Sequence, residues 1–349
     1  SQAIAPDAMA MASHARAFSR GWARPTPQDH RDLRRLGTLR ALEAREAHRA
    51  QNRTHPTPAK TPADLRVAHH HPTLDATKPA LGLLPITAPR RIQLMQLQGK
   101  AALVTGSSSG VGRATAHLLA DQGCSVVVNY AHSLEGAEET AAECERRGAK
   151  AIVVQADVSK DDDCRAMVAQ AEKAFGRLDV LVNNAGTTKF VPHENLDGLD
   201  TDDWHEILGV NLIGPFLCTR AARDLLAAGE EGGEVVMTSS IAGLAGIGSS
   251  IAYCASKGAL NNLTITLARA LAPKIRVNAI APGFIDGEWL KQGFGDAYDA
   301  VKASMIEKAP LARVATPETV AAGILSILMG PGLTTGHVTP HEGGAIIPQ

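Results

Sequence analysis

The chain has 349 residues, a formal net charge of −1, 44% hydrophobic residues and only 3% aromatic ones. No apolar run approaches the ~20 residues needed to cross a bilayer, and Cys124, Cys144, Cys164, Cys218 and Cys254 have neither metal-site nor disulfide-framework spacing. A membrane-spanning or disulfide-stapled design is thereby excluded, and a cytoplasmic protein with reduced thiols and no metal is expected.

Residues 1–97 differ in kind, being rich in Arg, Pro, Ala, Thr and His, poor in acids, and without strand-like runs. They read as a basic, disordered N-terminal extension, an upstream translation artefact being one explanation. An organelle leader and a nucleic-acid-binding arm compete. The length and several acids of the segment oppose the first, and its scarcity of aromatics opposes the second. Leucines at 33, 36, 39 and 42 allow one helix over 29–49, and His69–His71 reads as a solvated run. No nucleic-acid or membrane partner is expected.

The foldable domain is placed at 98–349. It opens with AALVTGSSSGVG, an apolar run followed by Gly106, Gly110 and Gly112, and then RATAHLLADQG. This is a strand, a tight turn and a helix beginning near Val111. Glycines let backbone approach a ligand closely, and a helix N-terminus offers free N–H groups and its positive dipole end to an anion. With Ser108, Ser109 and Val111 in the same turn, a pyrophosphate is the natural occupant. A bare turn is the competing reading, but the run heads a repeating strand–helix series.

The second strand, CSVVVNY, ends at Asn129 and Tyr130. An acidic residue near this place bonds adenosine ribose hydroxyls in dinucleotide folds. Asn129 is neutral, which favours NADP(H) while leaving NAD(H) possible; Arg113 is the nearest cation for a 2′-phosphate, or simply an outer-face residue of the helix. The third strand places Asp157 and Val158 at its end, and the fourth, LDVLVNNAG, carries Asn184, Ala185 and Gly186. Taken singly, Asp157 could be a helix cap and the asparagines a turn. Further on, GGEVVMTSS delivers Ser240, and Tyr253 and Lys257 follow on one helix. Positions i and i+4 share a face, so the ammonium is expected to lower the pKa of the phenol for proton transfer near neutral pH. A half-buried tyrosine beside a solvated lysine is the bland alternative for the pair alone.

Together, Gly106-x-x-x-Gly110-x-Gly112, Asp157-Val158, Asn184-Ala185-Gly186, Asn211, Ser240, Tyr253-x-x-x-Lys257 and Pro282-Gly283 resemble the short-chain dehydrogenase/reductase family over about residues 98–347. Stretches such as VVVNYA and LVNNAGTTK look like its 3-oxoacyl-[acyl-carrier-protein] reductases. The resemblance implies an α/β Rossmann fold, a doubly wound and mostly parallel sheet in a single domain with helices on both faces. It implies a ketone–alcohol oxidoreductase using NADP(H) or NAD(H), with Tyr253 as acid/base and Lys257 lowering its pKa and holding the nicotinamide ribose. Ser240 would orient the substrate, and Asn211 would bend its helix and hold a relay water. Asp157 would meet the adenine, Ala185 and Gly186 the adenosine ribose, and Pro282, Gly283 and Ile285 the nicotinamide amide. The family's threonine after Pro-Gly is missing from Pro282-Gly-Phe-Ile-Asp286.

The segment 282–311 falls where the family keeps its substrate lid. Trp289, Phe294 and Tyr298 either wall a pocket or pack the lid down, and Thr187–Phe190 and Ala245–Ile247 are expected to face substrate. Glu230 and Glu231 are read as opposing an acidic carrier protein, so a free small-molecule ketone or alcohol leads, with an acyl-carrier substrate as the alternative. A non-catalytic dinucleotide sensor is the rival from another class. A homotetramer or homodimer is expected through the helices carrying Asn211 and Tyr253 and through the C-terminal strand.

Overall fold

The computed structural model describes residues 95–347; the basic extension, its candidate helix at 29–49 and the histidine run lie outside the described residues. Leu97, grouped with the extension in the sequence reading, is a core residue at 2% exposure.

Strands and helices alternate. β1 (Ala101–Val104), α1 (Gly110–Asp121), β2 (Ser125–Tyr130), α2 (Leu134–Arg146), β3 (Ala151–Gln155), α3 (Asp161–Phe175) and β4 (Val180–Asn183) form the first half. α4 (Thr201–Leu208) runs through a π-turn (Gly209–Ile213) into α5 (Gly214–Ala227). Then come β5 (Gly233–Thr238), the single-turn α6 (Ala242–Ala245), α7 (Ile251–Leu271) and β6 (Ile275–Pro282). α8 (Glu288–Phe294), α9 (Tyr298–Lys308), α10 (Pro317–Leu328) and β7 (Val338–His341) complete the domain.

All seven strands are parallel, in the order β3-β2-β1-β4-β5-β6-β7. Period-two alternation explains why the strands are apolar on both faces. Leu103, Val127 and Leu181 pack under α3, α5 and α7, while Val104, Val128 and Val182 pack under α1, α2 and α10. The sheet is therefore doubly wound, as expected from the sequence.

Local chemistry sets the helix ends. Ser133 accepts from the Gly136 N–H at the start of α2, and α3 has Asp161, Asp162 and Asp163 in its first turn, where the helix dipole favours negative charge. α10 starts with Pro317 after a Thr316–Thr319 capping box. Ser250 caps α7 by accepting from the Tyr253 N–H at 3.2 Å, which fixes Tyr253 in the first turn. Because the strands are parallel, all their C-terminal ends share one rim. The chain order reverses between β1 and β4, the switch point where open sheets bind ligands.

Candidate active site

Gly106 lies at that switch point with φ 61°, and a β-carbon there would come within 2.9 Å of Ala185 Cα. At Gly112 a β-carbon would meet Gly106 O at 2.4 Å and Asn184 Nδ2 at 2.6 Å. The turn is thus pressed against the end of β4. Asn184 Nδ2 donates to the carbonyls of Thr105 and Gly106 at 3.0 and 3.1 Å, locking the two strand ends together. Ser109 precedes α1 in extended backbone and makes no side-chain cap, so the first N–H groups of the helix keep their donors. A glycine cradle in front of an uncapped helix N-terminus fits a dinucleotide pyrophosphate.

Asn129 departs from the expectation placed on it. It is 1% exposed and turned into the sheet, accepting from the Gly106 N–H at 3.0 Å and donating to Val154 O and Ala156 O at 3.3 and 3.1 Å. Its side chain ties β1, β2 and β3 together from behind the rim and does not present itself to a ribose. Strand alternation puts Asn129 on the Val127 face and Tyr130 on the other. The inference from a neutral Asn129 to NADP(H) therefore loses its residue, although no carboxylate stands from Tyr130 to Leu134 either. Arg113 Nη2 lies against this loop, 2.6 Å from Ser108 O and 3.2 Å from Glu139 Oε2.

Asp157 closes the turn after β3. Its Oδ1 accepts from the Ser159 N–H and hydroxyl at 3.0 and 2.7 Å, with Lys160 Nζ 3.3 Å from Oδ2. Burial raises its pKa, but these hydrogen bonds outweigh it and hold the carboxyl below its ordinary value. Val158 abuts Gly214, where a β-carbon would come within 2.9 Å of Val158 Cγ2.

At the other half of the rim, Tyr253 and Lys257 lie side by side, with Lys257 Nζ 5.6 Å from the Tyr253 ring centre. Both are buried, at 9% and 4% exposure. Burial pushes the phenol up to about 12, and a hydrogen bond with Ser240 pulls against it. Burial pushes Lys257 down to about 8. Burial, rather than the Lys257 charge, sets the direction of the Tyr253 shift. The ammonium donates instead to Thr238 O at 2.8 Å, and desolvation dominates for both groups.

Asn211 sits in the π-turn, the local distortion expected around it. Its Oδ1 accepts from the Thr187 N–H at 2.8 Å, and its Nδ2 donates to Thr187 O and Ser256 Oγ at 2.9 and 3.1 Å. A β-carbon on Gly186 would lie 3.4 Å from Asn211 Oδ1 and 3.8 Å from Lys257 Nζ, so this glycine keeps open the space that both groups border. Ser240 Oγ accepts from the Ala242 N–H at 3.1 Å, which orients the hydroxyl at the start of α6. Gly283, after Pro282 at the end of β6, donates to His341 O at 3.2 Å, and Ile285 pairs with Ala315.

Two contributors escaped the sequence reading. Ser256 is fully buried, donates to Tyr253 O at 2.7 Å and accepts from Asn211, joining two functional residues. The Thr238 carbonyl that holds Lys257 is a backbone atom with no sequence signal. Glu230 and Glu231 also belong elsewhere. They precede β5 and lie at the opposite rim, where Lys100 Nζ bonds Glu231 Oε2 at 2.5 Å, so they do not face anything docking at the cleft. Among the described residues no group of acidic, histidine or cysteine side chains forms a metal site, and no helix is long and apolar enough to cross a membrane.

A parallel doubly wound sheet, a glycine cradle and a partly buried Ser240 beside buried Tyr253 and Lys257 at one rim define a nicotinamide-dinucleotide oxidoreductase. The profile of the short chain dehydrogenases matches residues 100–296, and the chain belongs to that family. It is 43% identical over 248 residues to a ketoacyl reductase assigned to the granaticin polyketide synthase of Streptomyces violaceoruber, covering 71% of this chain and 96% of that one. It is 39% identical over 248 residues to the cis-4-hydroxycyclohexanecarboxylate dehydrogenase of Sinomonas cyclohexanicum, covering 70% and 96%. A crystal structure of a Burkholderia xenovorans protein assigned to the short-chain dehydrogenase/reductases superposes with a TM-score of 0.66 at 40% identity, covering 71% of this chain and 98% of that one.

Proposed function

We propose that this enzyme interconverts a free ketone and a secondary alcohol, with Tyr253 handling the proton. The observation that carries the reading is the convergence of Ser240, Tyr253, Lys257 and Asn211 on one cleft beside the glycine cradle. A nicotinamide dinucleotide, when bound, supplies or accepts the hydride. Its pyrophosphate would be held by the backbone from Gly106 to Gly112, and its nicotinamide end by Lys257 and the backbone after Pro282.

The chain's own groups divide the remaining work. Ser240 hydrogen-bonds the substrate oxygen, and the Tyr253 hydroxyl gives its proton to that oxygen in reduction or takes it in oxidation. Lys257, an ammonium below about pH 8, stabilises the phenolate left behind. Asn211 and Ser256 keep the start of α7 and the Thr187 backbone in register.

NADP(H) is the favoured dinucleotide, supported by the carboxylate-free end of β2. Side-by-side titration with NADPH and NADH tests this, and tighter NADH binding rejects it. A free substrate is favoured over a carrier-bound acyl group by the acidity of the segments flanking the cleft. Residues 189–206 hold Glu194, Asp197, Asp200, Asp202, Asp203 and Glu206 against the single Lys189. An acidic carrier would meet like charge there. The alternative, reduction of a 3-oxoacyl carrier substrate, is supported by the likeness to the granaticin ketoacyl reductase.

Assembly as a homotetramer or homodimer is part of the same reading, supported by half-exposed Ile213, Phe216 and Ile265 on the π-turn, α5 and α7. Cytoplasmic residence is supported by five free thiols. Tyr253→Phe is expected to lower turnover by about 10²–10⁴-fold and leave NADPH affinity nearly intact. Retained turnover rejects the role of Tyr253.

A further inference from the structure

Of the twelve aromatic side chains in the sequence, six meet beside the catalytic cleft: Tyr253, Trp289, Phe190, Phe294, Phe284 and Tyr298. They do different jobs. Phe294 and Tyr298 are 5% and 7% exposed and form the lid's own core with Val301 and Met305. Trp289 is 46% exposed, yet its indole stands edge-to-face with the Tyr253 ring at 6.2 Å and with Phe190 at 6.4 Å.

Phe190 is itself packed in place: a β-carbon on Gly293 would come within 2.1 Å of its Cζ, so the tip of the phenyl abuts α8 where only a glycine leaves room. The indole is thus held by packing on one side while about half its surface stays exposed, next to the Tyr253 ring. A fixed, half-exposed aromatic beside reacting groups marks a ligand contact. The cations of the flanking segments are already engaged. Lys189 pairs with Asp203, Lys291 with Glu288 and Lys302 with Asp286, so none of the three is left for a carboxylate or phosphate on the substrate.

We propose that Trp289 is a specificity wall that receives the flat ring of an uncharged cyclic or aromatic ketone, holding its carbonyl against Ser240 and Tyr253. This rests on the oxidoreductase reading above and adds the substrate class to it. A straight-chain ketone has no planar face to lay on the indole, so it forfeits the ring contact and must also freeze its rotors.

The test compares tetralone with decan-2-one, matched in carbon number, on the wild type, Trp289→Ala and Trp289→Phe with NADPH. Melting temperature and NADPH affinity confirm that each variant folds and binds cofactor. The wild type is expected to favour tetralone in kcat/KM. Trp289→Ala should cut the tetralone-to-decan-2-one ratio on the order of tenfold, and Trp289→Phe should restore most of it. A ratio unmoved in Trp289→Ala, or a wild type that prefers decan-2-one, overturns the wall. If NADPH binds and neither ketone is turned over, it is the oxidoreductase reading that fails. Calorimetric titration of tetralone into the NADPH complex then decides the wall separately: binding lost in Trp289→Ala supports it, and no binding to the wild type refutes it.

Discussion

Gly112→Ala is the most direct probe of the cradle, because the cost comes from contacts rather than from backbone preference. The added methyl would sit 2.4 Å from Gly106 O, 2.6 Å from Asn184 Nδ2 and 2.8 Å from Ser107 Cα, and two of these three are backbone atoms that cannot swing away. Relief requires α1 to move off the turn, stretching the Asn184–Gly106 bond now at 3.1 Å. Overpacking of this kind costs about 1–3 kcal/mol, and weakening the hydrogen bond adds about 1 kcal/mol. For a domain of this size, ~2 kcal/mol lowers Tm by roughly 4–8 °C. The same movement withdraws helix N–H groups from an anionic ligand, a loss of about 1.5–3 kcal/mol, or roughly 10–100-fold in NADPH affinity. Gly110→Ala is the control. Its φ is 53° and no atom lies within 4 Å of the new carbon, so it bears only the left-handed strain of about 1–2 kcal/mol. Differential scanning fluorimetry and NADPH fluorescence titration read both quantities. A Gly112→Ala protein with wild-type Tm and wild-type affinity would refute the close-packing argument.

Gly248→Ala places a methyl 2.9 Å from both Ala242 Cβ and Cys254 Sγ and 3.3 Å from Tyr253 Cδ1, so the start of α7 must shift; kcat should fall on the order of tenfold and Tm by a few degrees, checked by steady-state kinetics and scanning fluorimetry. Lys257, held near 8 by burial, should give kcat/KM for ketone reduction a limb that falls as pH rises through about 8, because the ammonium is then lost; a flat profile from pH 7 to 9 contradicts this. Glu234 is raised by burial from 4.5 to about 7 despite Arg276, and its Oε2 has no hydrogen-bond partner. The folded protein then holds a proton that the unfolded chain releases between pH 4.5 and 7, so stability falls as pH rises through that window. This group contributes up to roughly 3 kcal/mol of that loss, and urea unfolding of Glu234→Gln at pH 5 and pH 7.5 should show a flatter dependence than the wild type.

Much of the site was legible because its chemistry admits few residue types. A close-packed turn demands glycine at 112, a shared helix face demands four-residue spacing between Tyr253 and Lys257, and both features survive in the fold unchanged. What failed were orientations. The place of Asn129 at a strand end suggests a ribose contact, yet alternation along β2, already present in the string VVVNY, sends its amide inward. Glu230 and Glu231 were read by charge alone; their place just before β5 already puts them at the rim where the strands begin. The direction of the Tyr253 shift lies beyond sequence for a different reason. Sequence spacing shows that a cation is near, but only packing shows that desolvation outweighs it. Ser256 lay one residue from Lys257 and was passed over because a serine inside a helix usually bonds its own backbone, as this one also does.

The far rim of the sheet carries its own ionic seam. Lys100 meets Glu231, Arg276 meets Glu234, and Arg177 grips both oxygens of Asp179, one of which also accepts from the Ala101 N–H at 2.9 Å. The ion pairs and the Ser240–Tyr253–Lys257 group thus lie at opposite rims of one sheet. Substitutions along the far-rim ion pairs can therefore be made at a distance from Trp289 and Tyr253, so changes at one rim need not disturb the other.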